Sequence, residues 1–141
     1  MSRDYHAEII NLSQNSTNLF KKFKVIGVRK RFLGFVKIYK ISISENDLSE
    51  ILTLVQHNMS RKLNKEWYAT FYNADNAIVV FRKKVFRLST MGITPEYQKR
   101  LNIDNAEDKQ QWNEMLNYAK ALGIPDSQLD YLPPGFKTEV Y

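Results

Sequence analysis

The residues with the most pronounced chemical character lie in one stretch, KKFKVIGVRKRFLGFVKIYK, at positions 21–40. Eight of its twenty residues are Lys or Arg, and none is Asp or Glu. Lys21, Lys22, Lys24, Arg29, Lys30 and Arg31 form the denser part, and Arg82, Lys83, Lys84 and Arg87 form a second group further along. Cations at this density track phosphates, and aromatic rings beside them stack on bases. Tyr39, with Tyr68 and Tyr72, is the source of such rings. The expectation is that both basic groups share one strand edge able to hold DNA or RNA. Lysines on strands also keep exposed edges from pairing with other chains. The alternative partner is therefore another protein, or a second copy of this chain, meeting an exposed strand or the first helix.

Other chemistries are poorly provided for. The chain has no cysteine, which excludes disulfides, thiol catalysis and Cys-based metal sites. The five glycines are far apart, so no phosphate-binding glycine loop exists. His6 falls near the terminus and His57 in the last turn of a predicted helix, where a cation suits the helix dipole. Neither histidine has a Ser, Asp or metal-ligand companion at useful spacing. Glu107 and Asp108 are paired carboxylates, but the first turn of a predicted helix accounts for them. The residues favour a binding protein over an enzyme, with no cofactor and no metal. Residues 1–10, MSRDYHAEII, lack the apolar run of a signal peptide, and no stretch approaches a membrane span. The expected setting is the cytoplasm, away from membranes.

The elements that must position the basic residues follow from periodicity. With 141 residues, 43% hydrophobic, the chain is sized for one domain with one real core. Residues 1–90 carry a net charge of +9 and residues 91–141 a net −3. The expected layout is one α+β domain over 1–141, with a basic segment 1–34 and a mildly acidic helical segment 91–141. Residues 1–12 fit either a helix or a short strand, and 13–18 read as a loop. Strands are predicted over Phe23–Phe32 and Phe35–Ser44, joined by a turn at Leu33-Gly34. In the second, Phe35, Lys37, Tyr39, Ile41 and Ile43 share one face.

A helix follows, capped by Ser44, with an apolar stripe of Leu48, Ile51, Leu52, Val55 and Met59. A three-strand meander is predicted over Glu66–Tyr72, Ala77–Arg82 and Val85–Ser89. A short helix opens at Thr94-Pro95-Glu96. A longer one, capped by Asn105, covers Ala106–Leu122, with Trp112, Met115, Leu116, Ala119 and Leu122 inward and Gly123 at its end. One further helical turn is predicted at 126–129, and a tail begins at Pro133. The fold class is α+β: an antiparallel sheet of about five strands, in the order strand, strand, helix, strand, strand, strand, helix, with helices on one face.

Two resemblances bear on this layout. Arg31-Phe32-Leu33-Gly34-Phe35-Val36-Lys37-Ile38 partly resembles the RNA-contacting strand of RNA recognition motifs, in its basic start, Gly34 and Phe35-Val36. It departs at Phe32, where that motif has glycine, and Leu33 and Ile38 replace aromatics. No strand–helix unit precedes it, as that motif requires. Separately, Trp67–Tyr72 running into Ile78–Phe86, together with Ala119–Tyr131, resembles a group of small archaeal and bacterial proteins of unknown function. The likeness covers about residues 35–134, with an insertion near 91–108. It implies the strand–helix–meander–helix order and carries no site residue, and the basic segment 1–34 lies outside it.

Overall fold

The computed structural model describes residues 4–15, 17–60, 66–91, 109–124, 132 and 136. Six strands and two helices are formed: β1 Tyr5–Ile10, β2 Lys24–Arg31, β3 Val36–Ile43, α1 Leu48–His57, β4 Tyr68–Tyr72, β5 Asn76–Phe81, β6 Val85–Ser89 and α2 Lys109–Ala121. The strands make one six-stranded sheet in the order β2-β3-β1-β4-β5-β6. Every neighbouring pair is antiparallel. The α+β class and the antiparallel sheet are those the sequence predicts.

Residues 5–10 resolve as a strand at the centre of the sheet. Tyr5, Ala7 and Ile9 alternate onto one face and are buried there. His6 is not at a loose terminus: it lies buried on the other face, its ring edge-on to Tyr72 with centroids 6.2 Å apart. A strand covered on both faces needs no polar residue at every second position, so its pattern is weak.

The helices divide between the two faces instead of sharing one. Leu48, Leu52 and Val55 of α1, with Met59, pack on Ile9, Ile41, Ile43, Ala69, Phe71, Ile78 and Val80. Trp112, Met115 and Ala119 of α2 pack on Tyr72, Ala77, Val79, Phe81 and Leu88. Successive residues of β4 and β5 thus feed opposite cores, and the middle of the sheet is apolar on both sides. The six residues of β5 show it most plainly, five of them being buried.

Ends of elements follow the local chemistry. Ser44 does not cap α1 directly; its hydroxyl donates to the Asp47 carboxylate at 2.9 Å, and a 3-10 turn over Glu45–Asp47 leads into the helix. Gly123 takes φ +87° past the end of α2, its N–H donating to Lys120 O at 2.9 Å while Ile124 N–H donates to Ala119 O at 3.2 Å. That double return is the glycine-terminated motif that satisfies the last helical carbonyls. The predicted helix at 94–96, the Asn105 cap with Glu107 and Asp108, the turn at 126–129 and the start of the tail at Pro133 lie outside the described residues.

The stretch after β1 is bound to the far end of α1. Ser60 N–H donates to Ser13 O at 2.9 Å and its hydroxyl to Leu12 O at 2.5 Å. Asn15 N–H donates to Asn58 O at 2.7 Å, and Asn58 Nδ2 to Gln14 Oε1 at 3.1 Å. Buried polar groups paired this way act as a rivet between the chain entering β2 and the α1 face.

Candidate nucleic-acid interface

β2 forms one edge of the sheet and is exposed along all eight residues. Among the described residues it pairs only with β3, in the register Lys24↔Ser42, Val25↔Ile41, Gly27↔Lys40, Val28↔Tyr39, Arg29↔Ile38, Lys30↔Lys37 and Arg31↔Val36. A bulge between Val25 and Gly27 leaves Ile26 out of the pairing. An extra residue reverses the alternation of everything before it. Lys24 is thereby brought to the face that carries Arg29, Arg31 and Lys40, while Val25, Val28, Lys30 and Lys37 occupy the other. Lys21 and Lys22 are exposed in the 3-10 turn Thr17–Lys22 that leads into β2.

The electrostatics of this ribbon are unbalanced. Lys30 stands directly opposite Lys37, a like-charge pair that costs a sheet up to roughly 1 kcal/mol. Among the described residues neither lysine has an anionic partner, and the same is true of Lys24 and Arg31. Arg29 alone of the β2 cations makes a described ion pair, Nη2 to Glu8 Oε2 at 2.7 Å. Its side chains are 54% and 26% exposed, so the pair adds little stability. Glu8 also lies across from Lys40 in the β1–β3 register. It is the carboxylate built into an otherwise cationic face, and Glu8→Gln is expected to raise polyanion affinity by roughly two- to tenfold at low salt. A titration of a labelled oligonucleotide checks this, and the gain should shrink as salt is added.

The turn of the hairpin is apolar and exposed. Leu33 sits at φ 57°, ψ 26°, the left-handed region, and Gly34 follows at φ +91°. A leucine held there costs about 1–2 kcal/mol that glycine or asparagine would largely avoid. Leu33 is fully exposed at 104%, and Phe35 is 79% exposed. Asn11, just past β1, fixes this end: its Nδ2 donates to Phe35 O at 3.1 Å and its Oδ1 accepts from Lys37 N–H at 3.1 Å. The side-chain amide continues the β1–β3 ladder where the backbone has turned away.

The second basic group is elsewhere. Arg82, Lys83 and Lys84 lie in the β5–β6 turn and Arg87 on β6, the opposite edge of the sheet. Five strand spacings, roughly 24 Å, separate the two edges. The single basic edge expected from the sequence is therefore two groups. The second is also partly engaged: Arg82 Nη2 donates to Glu66 at 2.9 Å, and that hydrogen bond holds the guanidinium pKa above its ordinary value. Lys84 Nζ lies 4.9 Å from the centre of the Phe86 ring and 5.5 Å from that of Tyr118. A depression of about 400 Å³ beside β5 and β6 has Arg87 in its lining with Tyr5, Asn76 and Gln111.

The expected stacking rings are partly or wholly covered. Tyr39 lies flat on Phe20, centroids 4.0 Å and planes 11° apart, so one face of its ring is covered. Tyr72 is buried, and Tyr68 packs on Phe81 at 6.1 Å. Among the side chains described, Phe35 is the exposed aromatic. Leu33, Phe35 and Lys37 thus lie beside the candidate cations, and sequence reasoning does not single them out. A turn at Leu33-Gly34 already implies Lys30 opposite Lys37, and that symmetry is the available signal. No described helix is long and apolar enough to cross a membrane. No family model, no curated protein and no solved structure matches this chain.

Proposed function

We propose that this chain binds nucleic acid through the β2–β3 ribbon. One observation carries the reading: the solvent-exposed edge strand β2 places Lys30 against Lys37 of β3 and bears Lys24 and Arg31, none of them with a described anionic partner. Cations set face to face without a carboxylate between them raise the energy of the free protein. A phosphate placed between them reverses the sign of that interaction, and the counterions it releases drive association. Cations on both faces of the ribbon suit a ligand with two phosphate rows more than a flat anionic surface.

Fluorescence anisotropy with labelled single- and double-stranded DNA and RNA, each repeated between about 50 and 300 mM salt, tests this. The expected result is binding at low salt with log K falling linearly in log salt. If four to six of the ribbon's cations reach phosphates, the slope is about −4 to −5. A chain that leaves all four probes unbound at the lowest salt overturns the proposal.

A second reading rests on Val25, Ile26 and Val28, which are exposed on the free edge of β2. An extended acidic segment of another protein would fit that edge, adding a strand by main-chain pairing. Antiparallel pairing of two copies about the Val25–Val28 centre sets Lys24 against Arg29, which disfavours self-association. Sedimentation of the chain alone checks this: a monomer is expected, and a stable dimer would assign the free edge to a second copy.

A further inference from the structure

The tip of the hairpin combines three features that stability alone would not select together. Leu33 is in the left-handed region, where asparagine or glycine is preferred. It is fully exposed, where a polar residue is preferred, and Phe35 beside it is 79% exposed. The tip is nevertheless held in place, because the Asn11 amide bridges Phe35 O and Lys37 N–H at 3.1 Å each. Strain and exposed apolar surface on a fixed support point to a contact made outside the molecule.

The cations around the tip say what that contact is. Arg29 and Arg31 flank it on one face of the ribbon and Lys30 and Lys37 on the other. From Lys24 to Arg31 they extend over about 23 Å, seven steps at ~3.3 Å each. A lipid surface would meet the cations nearest the tip and leave the rest in water. A duplex can lie along the whole of the edge strand β2, with phosphates reached by cations from both of its faces, while the tip beyond the β1–β3 pairing meets a groove. Binding to a single strand by stacking needs several open ring faces; Tyr72 is buried, Phe20 lies on one face of Tyr39, and Tyr68 is half-buried beside Phe81. Apolar side chains at the end of a basic arm do a different job: they enter the minor groove and unstack a base step, kinking the helix.

We infer that the ligand is duplex DNA and that Leu33 and Phe35 form a wedge which opens a base step from the minor groove while the ribbon cations hold the flanking phosphates. This rests on the nucleic-acid reading and narrows it. The site should favour steps that unstack easily, above all TA and CA/TG, over stiff A-tracts.

The test uses the full chain and a duplex of about 20 base pairs with 2-aminopurine beside a central TA step and dyes at its two ends. Saturating protein is expected to raise 2-aminopurine emission severalfold and to raise energy transfer between the ends. Leu33→Asn with Phe35→Ser keeps a residue suited to the left-handed backbone; it should bind three- to tenfold more weakly and lose both signals at saturation. Lys30→Ala should bind more weakly but reach the same emission once saturated. Binding with unchanged emission, or a rise that survives in the double variant, overturns the wedge and leaves the binding proposal standing. Absence of duplex binding at about 50 mM salt overturns the wedge, and only absence of binding to single- and double-stranded DNA and RNA alike overturns the nucleic-acid reading as well. Stronger binding to phosphatidylserine vesicles than to duplex, lost in the double variant, assigns the tip to a lipid surface instead.

Discussion

Replacing Trp112 by alanine is expected to destabilise the fold by about 3–5 kcal/mol, the range for deleting a large aromatic from a closed core. Trp112 is 0% exposed and stands in the first turns of α2, against Val79, Phe81 and Leu88. Its indole N–H donates to Ser89 O at 2.8 Å, a carbonyl of edge strand β6. The substitution therefore leaves both a cavity and an acceptor without its donor, and the two losses add. Against a total stability of roughly 5–15 kcal/mol for a domain, that is a large fraction. Urea unfolding checks it, with the other tryptophan, Trp67, left as the fluorescent reporter. Trp112→Phe separates the contributions: it keeps most of the apolar contact, loses the N–H, and should cost about 1–3 kcal/mol. An alanine variant within about 1 kcal/mol of the parent would mean that α2 is not what closes this face.

The elements legible in the sequence are those whose pattern is local. Leu48, Leu52, Val55 and Met59 recur at helical spacing on a single buried stripe, and Trp112, Met115 and Ala119 do the same before Gly123. The meander over 68–89 is announced by the polar turns at 73–75 and 82–84 between apolar runs. What stays hidden depends on contacts between distant parts of the chain. β1 enters the sheet between β3 and β4, and nothing within residues 5–10 shows that. Its insertion sends the β2–β3 ribbon to one edge and the β5–β6 turn to the other, and so divides the basic residues. Tyr39 presents the same difficulty. Its place in the strand alternation is legible, but the ring that covers it, Phe20, comes from a turn nineteen residues earlier. The Lys30–Lys37 pair differs, because hairpin symmetry about Leu33-Gly34 contains it and no tertiary information is needed.

Changing Arg29, Lys30 and Arg31 together to alanine is expected to lower nucleic-acid affinity roughly a hundredfold or more at about 50 mM salt and to flatten the salt slope by about 2 to 3. Each cation that reaches a phosphate contributes about 0.9 to that slope, so the slope counts contacts directly. Arg29 contributes in a second way: its loss frees the Glu8 carboxylate, now 2.7 Å away, to repel the ligand. The three residues occupy the outer strand and are exposed, so the variant should fold with a midpoint close to the parent's. Relief of Lys30 from Lys37 would even favour it slightly. The matched control is Lys83→Ala, Lys84→Ala and Arg87→Ala together, which removes three exposed cations from the opposite edge. If the ribbon is the binding surface, that variant stays within about threefold of the parent and keeps its slope, apart from the general loss of net charge. Equal losses in the two variants would mean that affinity follows total charge and that neither edge is a defined site. A loss confined to the control would move the interface to β6.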